Sequence, residues 1–220
     1  MPLVKICGLT RPDDAAHAEQ SGAAFVGAIL AGGPRLLSTE QARQVLGPPR
    51  PGVRRVAVFG DQPAHEVVTV ARALALDVIQ LHGDRTPEEA AYIGSVSGRD
   101  VWPVLRIAGT ELPPNTEALA AVHRTLVLDA HVVGELGGTG VTLDWDGLTE
   151  QIRLLRERVP GLTLVLAGGL RPENVGDAIR LLSPVVVDVS SGVENAPGVK
   201  DPVRVQRFVQ AVRDAAEKSR

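Results

Sequence analysis

A single thiol, two aspartates at strand ends and two glycine-rich turns hold most of the chemistry this chain can offer. Cys7 is the only cysteine in 220 residues, and it closes the apolar stretch Leu3-Val-Lys-Ile-Cys7 just before Gly8. A lone thiol at the carboxyl end of a first strand suits a reactive group better than core filler, since its thiolate is both base and nucleophile. Asp129 closes Leu126-Val-Leu-Asp129 in the same way. It can serve as a proton-transfer group, or as a simple cap for the loop that follows. Gly168-Gly169 and Ser190-Ser191-Gly192 follow two later strand patterns. Glycine backbones and serine hydroxyls at such turns can approach and donate to phosphate oxygens, aided by the amino end of the next helix. Arg35, in Gly32-Gly-Pro-Arg35, offers a fork for a carboxylate, although an arginine in a loop is also an ordinary solvated residue. Lys5 shares a strand face with Cys7, two residues away, and needs a buried partner; Asp188 on the last strand is the one expected. The lysine charge could also favour the Cys7 thiolate. Lys5 and Asp188 join Arg35 as expected ligand-binding residues. His82, in Gln80-Leu-His-Gly83, is expected to make a structural hydrogen bond.

These residues fall where strands end. Val/Ile/Leu runs predict strands near 2–7, 24–30, 54–59, 77–81, 101–107, 124–129, 162–167 and 184–189. Continuous apolar runs are the pattern of parallel strands buried on both faces. Helical patterns alternate with them near 11–21, 38–46, 63–75, 86–97, 114–122, 147–158, 171–182 and 201–217. Ser38-Thr-Glu-Gln41 and Thr86-Pro-Glu-Glu89 read as capping boxes, Thr10 as the cap of the first helix, and Gly22 and Gly161 as helix terminators. Eight strand–helix units without a linker predict one (β/α)8 barrel over residues 1–220. The rival is an open doubly wound sheet, which would carry its glycine loop after the first strand. Here the glycine loops follow the sixth, seventh and eighth patterns, and barrels typically hold phosphate after the seventh and eighth.

Composition narrows the partners. The net charge of −3 gives no general attraction to nucleic acid or anionic lipid, and 3% aromatic residues supply no stacking platform. No apolar run approaches the roughly 20 residues of a membrane span, and no secretory signal pattern opens the sequence. One cysteine excludes an internal disulfide, which fits a reducing, cytoplasmic setting. No His or carboxylate cluster has metal-ligand spacing, so no metal is expected.

Taken together, the motifs resemble the phosphoribosylanthranilate isomerase family of tryptophan biosynthesis. The matching segments are Lys5-Ile-Cys-Gly-Leu-Thr10, Gln80-Leu-His-Gly83, Leu128-Asp129, Gly137-Gly-Thr-Gly140 with Asp144-Trp145, Gly168-Gly-Leu-Arg-Pro-Glu-Asn174, Asp188-Val-Ser-Ser-Gly-Val-Glu194 and Pro197-Gly-Val-Lys-Asp201. They run in family order along the whole chain. The chain departs at Gly27-Ala-Ile-Leu-Ala-Gly-Gly33, where the family usually has aromatic residues, and at Val141, where it usually has lysine. The resemblance implies an Amadori rearrangement of a phosphoribosyl amine, with Cys7 as general base, Asp129 as general acid and Arg35 at the anthranilate carboxylate. It implies no cofactor, because the iminium intermediate is its own electron sink. The implied partner is one small phosphorylated substrate, bound by a monomer or homodimer. Other readings are a different phosphosugar isomerase or aldolase on the same barrel, a non-catalytic phosphometabolite binder, and a redox thiol. A Schiff-base aldolase would need a lysine nearer the mouth than Lys5. A binder has no use for Cys7 and Asp129, and a redox thiol usually wants a second cysteine.

Overall fold

The computed structural model describes residues 1–130 and 142–218. Eight parallel strands close into a barrel: β1 (Leu3–Ile6), β2 (Phe25–Ile29), β3 (Arg54–Phe59), β4 (Val78–Leu81), β5 (Asp100–Ile107), β6 (Thr125–Ala130), β7 (Thr163–Leu166) and β8 (Val186–Val189). Each is followed by a helix: α1 (Pro12–Ser21), α2 (Thr39–Leu46), α3 (Ala64–Ala73), α4 (Pro87–Ser97), α5 (Thr116–His123), α6 (Trp145–Arg158), α7 (Val175–Leu182) and α8 (Pro202–Lys218). The alternation of side chains along each strand divides the apolar residues between two shells. One shell lies between strands and helices and includes Ile6, Val26, Leu81 and Leu128. The other fills the barrel, with Phe25, Val56, Val78, Trp102, Val127, Val165 and Val186 packed together. Burying such a side chain contributes roughly 1.5–3 kcal/mol. The Phe25 and Trp102 rings meet edge-on at 5.0 Å, so the largest side chains sit across from one another.

The local signals behave as their chemistry requires, with two exceptions. Ser38 and Gln41 form a reciprocal capping box at 2.8 and 3.2 Å, and Thr86 and Glu89 form another. Gly22 ends α1 with φ of 103°, a conformation that favours glycine. Thr10, however, does not cap α1. The cap position is Arg11, without a side-chain bond, and the Thr10 hydroxyl instead donates to the carbonyl of Gly198 at 2.6 Å. Gly161 lies beyond the α6 cap residue Val159, in the turn toward β7.

One element was not read from sequence. Between β8 and α8 the chain forms a small antiparallel hairpin, β9 (Glu194–Ala196) and β10 (Val199–Lys200). Residues three and two long give no periodic signal. Distant groups pin the hairpin: Thr10 holds its turn, and the Asp14 carboxylate in the first turn of α1 accepts from the Lys200 amide at 3.0 Å. The barrel's last connection is thereby stitched to its first, beside Cys7.

Candidate active site

The sheet register brings the reactive residues to one end. Lys5 of β1 lies opposite Asp188 of β8, and Arg106 of β5 opposite Asp129 of β6. Cys7 and Asp129 line one cavity of about 80 Å³, shared with Arg35, Gln80, His82, Gly168, Gly169, Asp188, Ser190 and Ser191. A roomier groove of about 520 Å³ lies elsewhere, against α4 and α5, with Asp84 and Arg106 on its wall. Arg106 there is already paired with Asp84, and neither the thiol nor the strand-end aspartates reach it.

Lys5 is fully buried, and its Nζ donates to Asp188 Oδ2 at 2.6 Å. Burial alone would strip the proton, but the adjacent carboxylate overrides it and holds Lys5 above the ordinary lysine range. The expected pair therefore exists, but Lys5 has no exposed surface and is not among the residues lining the cavity. Asp188 does reach the cavity, and its Oδ1 is buried without a partner among the described residues. An unsatisfied carboxylate oxygen there is an acceptor for a ligand hydroxyl.

Gly27 explains how a lysine and a thiol fit side by side. A methyl group on it would stand 3.1 Å from Cys7 Sγ and 3.3 Å from Lys5 Cε. Lys5 does favour the Cys7 thiolate, as expected, but it does not set the direction of the net shift. Burial pushes the thiol above its ordinary value, Asp188 reinforces this, and Lys5 and Lys200 only partly oppose it.

Across the mouth, both oxygens of Asp129 are held. Oδ1 accepts from the Ala130 amide at 2.9 Å, which is the modest local role of a strand-end aspartate. Oδ2 meets His82 Nε2 at 3.0 Å, and His82 is itself buried. The structural bond expected of His82 thus fixes the orientation of Asp129.

Arg35 is neither solvated nor free. Its Nε and Nη2 grip the Glu194 carboxylate at 2.9 and 2.7 Å. Lys200 Nζ bonds the same carboxylate at 2.6 Å and the Ser190 carbonyl at 3.2 Å. Glu194 stays below the usual carboxylate range: burial pushes it up, but Arg35 and Lys200 outweigh that. Neither Glu194 nor Lys200 was singled out from sequence, because their partners lie across a hairpin with no sequence signature.

The two glycine turns sit side by side. Gly168 and Gly169 adopt φ of 83° and 64°, and among the described residues their amides meet no acceptor. The Asn174 side chain locks this turn by donating to the Gly169 carbonyl and accepting from the Arg171 amide. Gly192 is not on the cavity wall. A methyl group there would fall 1.9 Å from the Leu170 carbonyl oxygen, so its smallness lets the two turns touch. The Gly137–Gly140 motif and Val141 lie outside the described residues. The described residues hold no cluster of metal-ligating side chains.

A closed barrel with a thiol, a held carboxyl group and two glycine turns at the carboxyl ends of its strands is a (β/α)8 enzyme site. A family model described as N-(5'-phosphoribosyl)anthranilate (PRA) isomerase matches residues 4–211. An N-(5'-phosphoribosyl)anthranilate isomerase of Moorella thermoacetica is 39% identical over 218 residues, covering 99% of this chain and 92% of that protein. The crystal structure of phosphoribosyl anthranilate isomerase from Thermotoga maritima superposes with a TM-score of 0.83 at 33% identity, covering 97% of this chain and 100% of that one. A second structure of such an isomerase holds reduced 1-(o-carboxyphenylamino)-1-deoxyribulose 5-phosphate; its TM-score is 0.79 at 32% identity, over 97% and 100% of the two chains. The chain belongs to the N-(5'-phosphoribosyl)anthranilate isomerase family, and it is an isomerase of tryptophan biosynthesis.

Proposed function

We propose that Asp129 and Cys7 perform the acid and base steps by which N-(5-phosphoribosyl)anthranilate becomes 1-(2-carboxyphenylamino)-1-deoxyribulose 5-phosphate. Asp129, in its carboxylic acid form, gives its proton to the ribose ring oxygen. The bond from that oxygen to the anomeric carbon breaks, and the amine lone pair forms a carbon–nitrogen double bond. Cys7 thiolate then removes the proton on the neighbouring carbon. The released electron pair makes the enolamine and neutralises the iminium. Loss of the enol proton and return of a proton to the anomeric carbon complete the ketone. The buried thiol favours its neutral form until positive charge arrives, and the iminium is such a charge.

The observation that carries this reading is the placement of Cys7 and Asp129 on one cavity, with His82 holding the carboxyl group. Gly168, Gly169, Ser190 and Ser191 form the proposed phosphate seat, with Gly192 supporting it. Remote binding energy from phosphate orients the reacting carbon. Asp188 Oδ1 accepts from a sugar hydroxyl, and Arg35 meets the anthranilate carboxylate with the part of its fork that Glu194 leaves open. We read residues 1–220 as one catalytic domain, a cytoplasmic monomer or homodimer acting on a small phosphorylated molecule. The charge of −3 supports the absence of a nucleic-acid partner, and no helix among the described residues is long and apolar enough to cross a membrane. Purified protein mixed with phosphoribosylanthranilate should abolish that compound's fluorescence at a rate proportional to enzyme. No acceleration over the blank would overturn the reading.

A further inference from the structure

The Arg35–Glu194–Lys200 cluster is buried, touches three separate parts of the mouth and has no place in the two proton transfers. Each of its three side chains is less than a tenth exposed. One carboxylate faces two cations, which leaves a net charge of +1. The cluster is packed against the residue next to Cys7: a methyl group on Gly8 would stand 2.5 Å from Arg35 Cδ and 2.6 Å from Ser190 Oγ. Lys200 in turn is bonded to the Ser190 carbonyl, with its hydroxyl at 3.5 Å. The backbone under Lys200 is fixed by Asp14, and Arg204 donates to the Glu194 carbonyl at 2.7 Å, so neither group is free to swing away.

We propose that Glu194 and Lys200 are positioning residues that set the net charge facing the Cys7 thiol and hold the arginine fork for the substrate's carboxylate. The proposal rests on the reading of Cys7 as base. Four charged groups act on the thiol: Lys5 on β1, Asp188 on β8, Arg35 after β2 and Lys200 in the hairpin. Asp129 and His82 face it across the cavity. Lys5 is the strongest cation at the thiol and Asp188 opposes it, while the hairpin cluster, packed against Gly8 beside Cys7, adds the positive charge of Lys200. Lys200 supports the thiolate; burial lowers its own pKa, and Glu194 only partly opposes that.

The test uses the fact that the chain has one thiol, so alkylation by iodoacetamide reads Cys7 alone. Its rate against pH is measured on the full chain, without substrate, in variants whose fold is verified by thermal melting. Lys200→Met removes a positive charge and should move the rising limb up by ~1 pH unit, about tenfold slower alkylation at a fixed pH below the limb. Glu194→Gln removes a negative charge and should move the limb the other way, with faster alkylation. Lys200→Arg should restore the limb. If Lys200→Met does not fold, Lys200→Gln carries the same expectation. Limbs that stay in place, or that move in the same direction in both charge variants, overturn the proposal. Glu194→Gln should also raise KM for phosphoribosylanthranilate about tenfold more than it changes Kd for inorganic phosphate. The kcat/KM limb should follow the alkylation limb. If alkylation shifts and kinetics do not, the charge-setting role stands and Cys7 is not the base.

Discussion

Two layers of the barrel interior differ by two residues along the same strands and have opposite chemistry. The lower layer is Phe25, Val56, Val78, Val127 and Val186, all apolar and packed together. Two positions further on the same strands carry Gly27, Val58, Gln80, Asp129 and Asp188, and Lys5 of β1 and Cys7 just after it join them. The pleat points both sets inward, so neither geometry nor depth alone separates them. The difference is which end opens to ligand. At the closed end, contacts must be fully satisfied by packing. At the open end, polar groups are kept partly unsatisfied, as at Asp188 Oδ1, or held by hydrogen bonds, as at Asp129. Stability and reactivity are thus divided by about one pleat of backbone.

The sharpest way to break this division is to change the upper layer alone. Cys7→Ser replaces a thiol by a hydroxyl that does not ionise near neutrality. General-base contributions are typically ~10²–10⁴-fold, and the loss in kcat should fall at or beyond the upper end. Asp129→Asn cannot donate a carboxyl proton and should fall steeply too. Neither change should move the melting temperature by more than a few degrees, since neither removes packing volume from the lower layer. A large loss of stability in both would show that the layers are not separable.

The converse change belongs below. Trp102→Ala should cost ~3–5 kcal/mol of stability, because it leaves a cavity inside the barrel. At a temperature where the variant stays folded, kcat should change little. Lys5→Met tests the boundary between the layers. It leaves Asp188 buried without its partner, and breaking such a pair typically costs ~3–5 kcal/mol. Urea unfolding should show that loss, accompanied by reduced activity, since Asp188 lines the cavity and the thiol loses a neighbouring cation. If Lys5→Met retains full stability, the pair is not the ion pair described here.

The boundary also shows what a sequence discloses and what it withholds. The eight strands were legible as Val/Ile/Leu runs, and strand β6 was placed within a residue of its observed start and end because Asp129 interrupts its apolar run. Cys7, Asp129 and the glycine turns were legible because each follows such a run directly. Lys5 and Asp188 could be paired once the barrel closes β8 against β1. What stayed hidden depends on contacts between segments far apart in sequence. Arg35 and Glu194 are separated by 159 positions, and Thr10 and Gly198 by 188. Nothing in the local pattern of Thr10 distinguishes a helix cap from a clasp on the hairpin. The sign of the Cys7 shift was misread for a related reason. Lys5 is visible two residues away, but the burial that outweighs it emerges only from packing.

Arg35 sharpens the comparison on the open side. Arg35→Ala removes a fork already half engaged by Glu194. Hydrogen bonds to charged groups are worth ~1.5–3 kcal/mol, so KM for phosphoribosylanthranilate should rise roughly 10- to 100-fold with a smaller change in kcat. A phosphate ligand without the anthranilate carboxylate should bind the variant nearly as well as the parent. Equal weakening of both ligands would make Arg35 a general structural residue of the mouth.

The smallest expected effect is a matter of pH, and it bears directly on how dry the open layer is. If burial dominates at Cys7, the free thiol titrates above its ordinary value of ~8.5. The thiolate fraction is then small at neutrality and grows as pH rises through the shifted value. Alkylation of the unliganded protein should accordingly be slow near pH 7 and still rising at pH 9. A cationic ligand at the cavity should favour the thiolate and move that limb down, whereas phosphate alone should not. The sign is what matters. A limb below ~8.5 in the unliganded protein would mean that the cations at the mouth outweigh desolvation. The upper layer would then be wetter and more positive than its burial indicates, and the contrast with the layer beneath it would rest on charge rather than on exclusion of water.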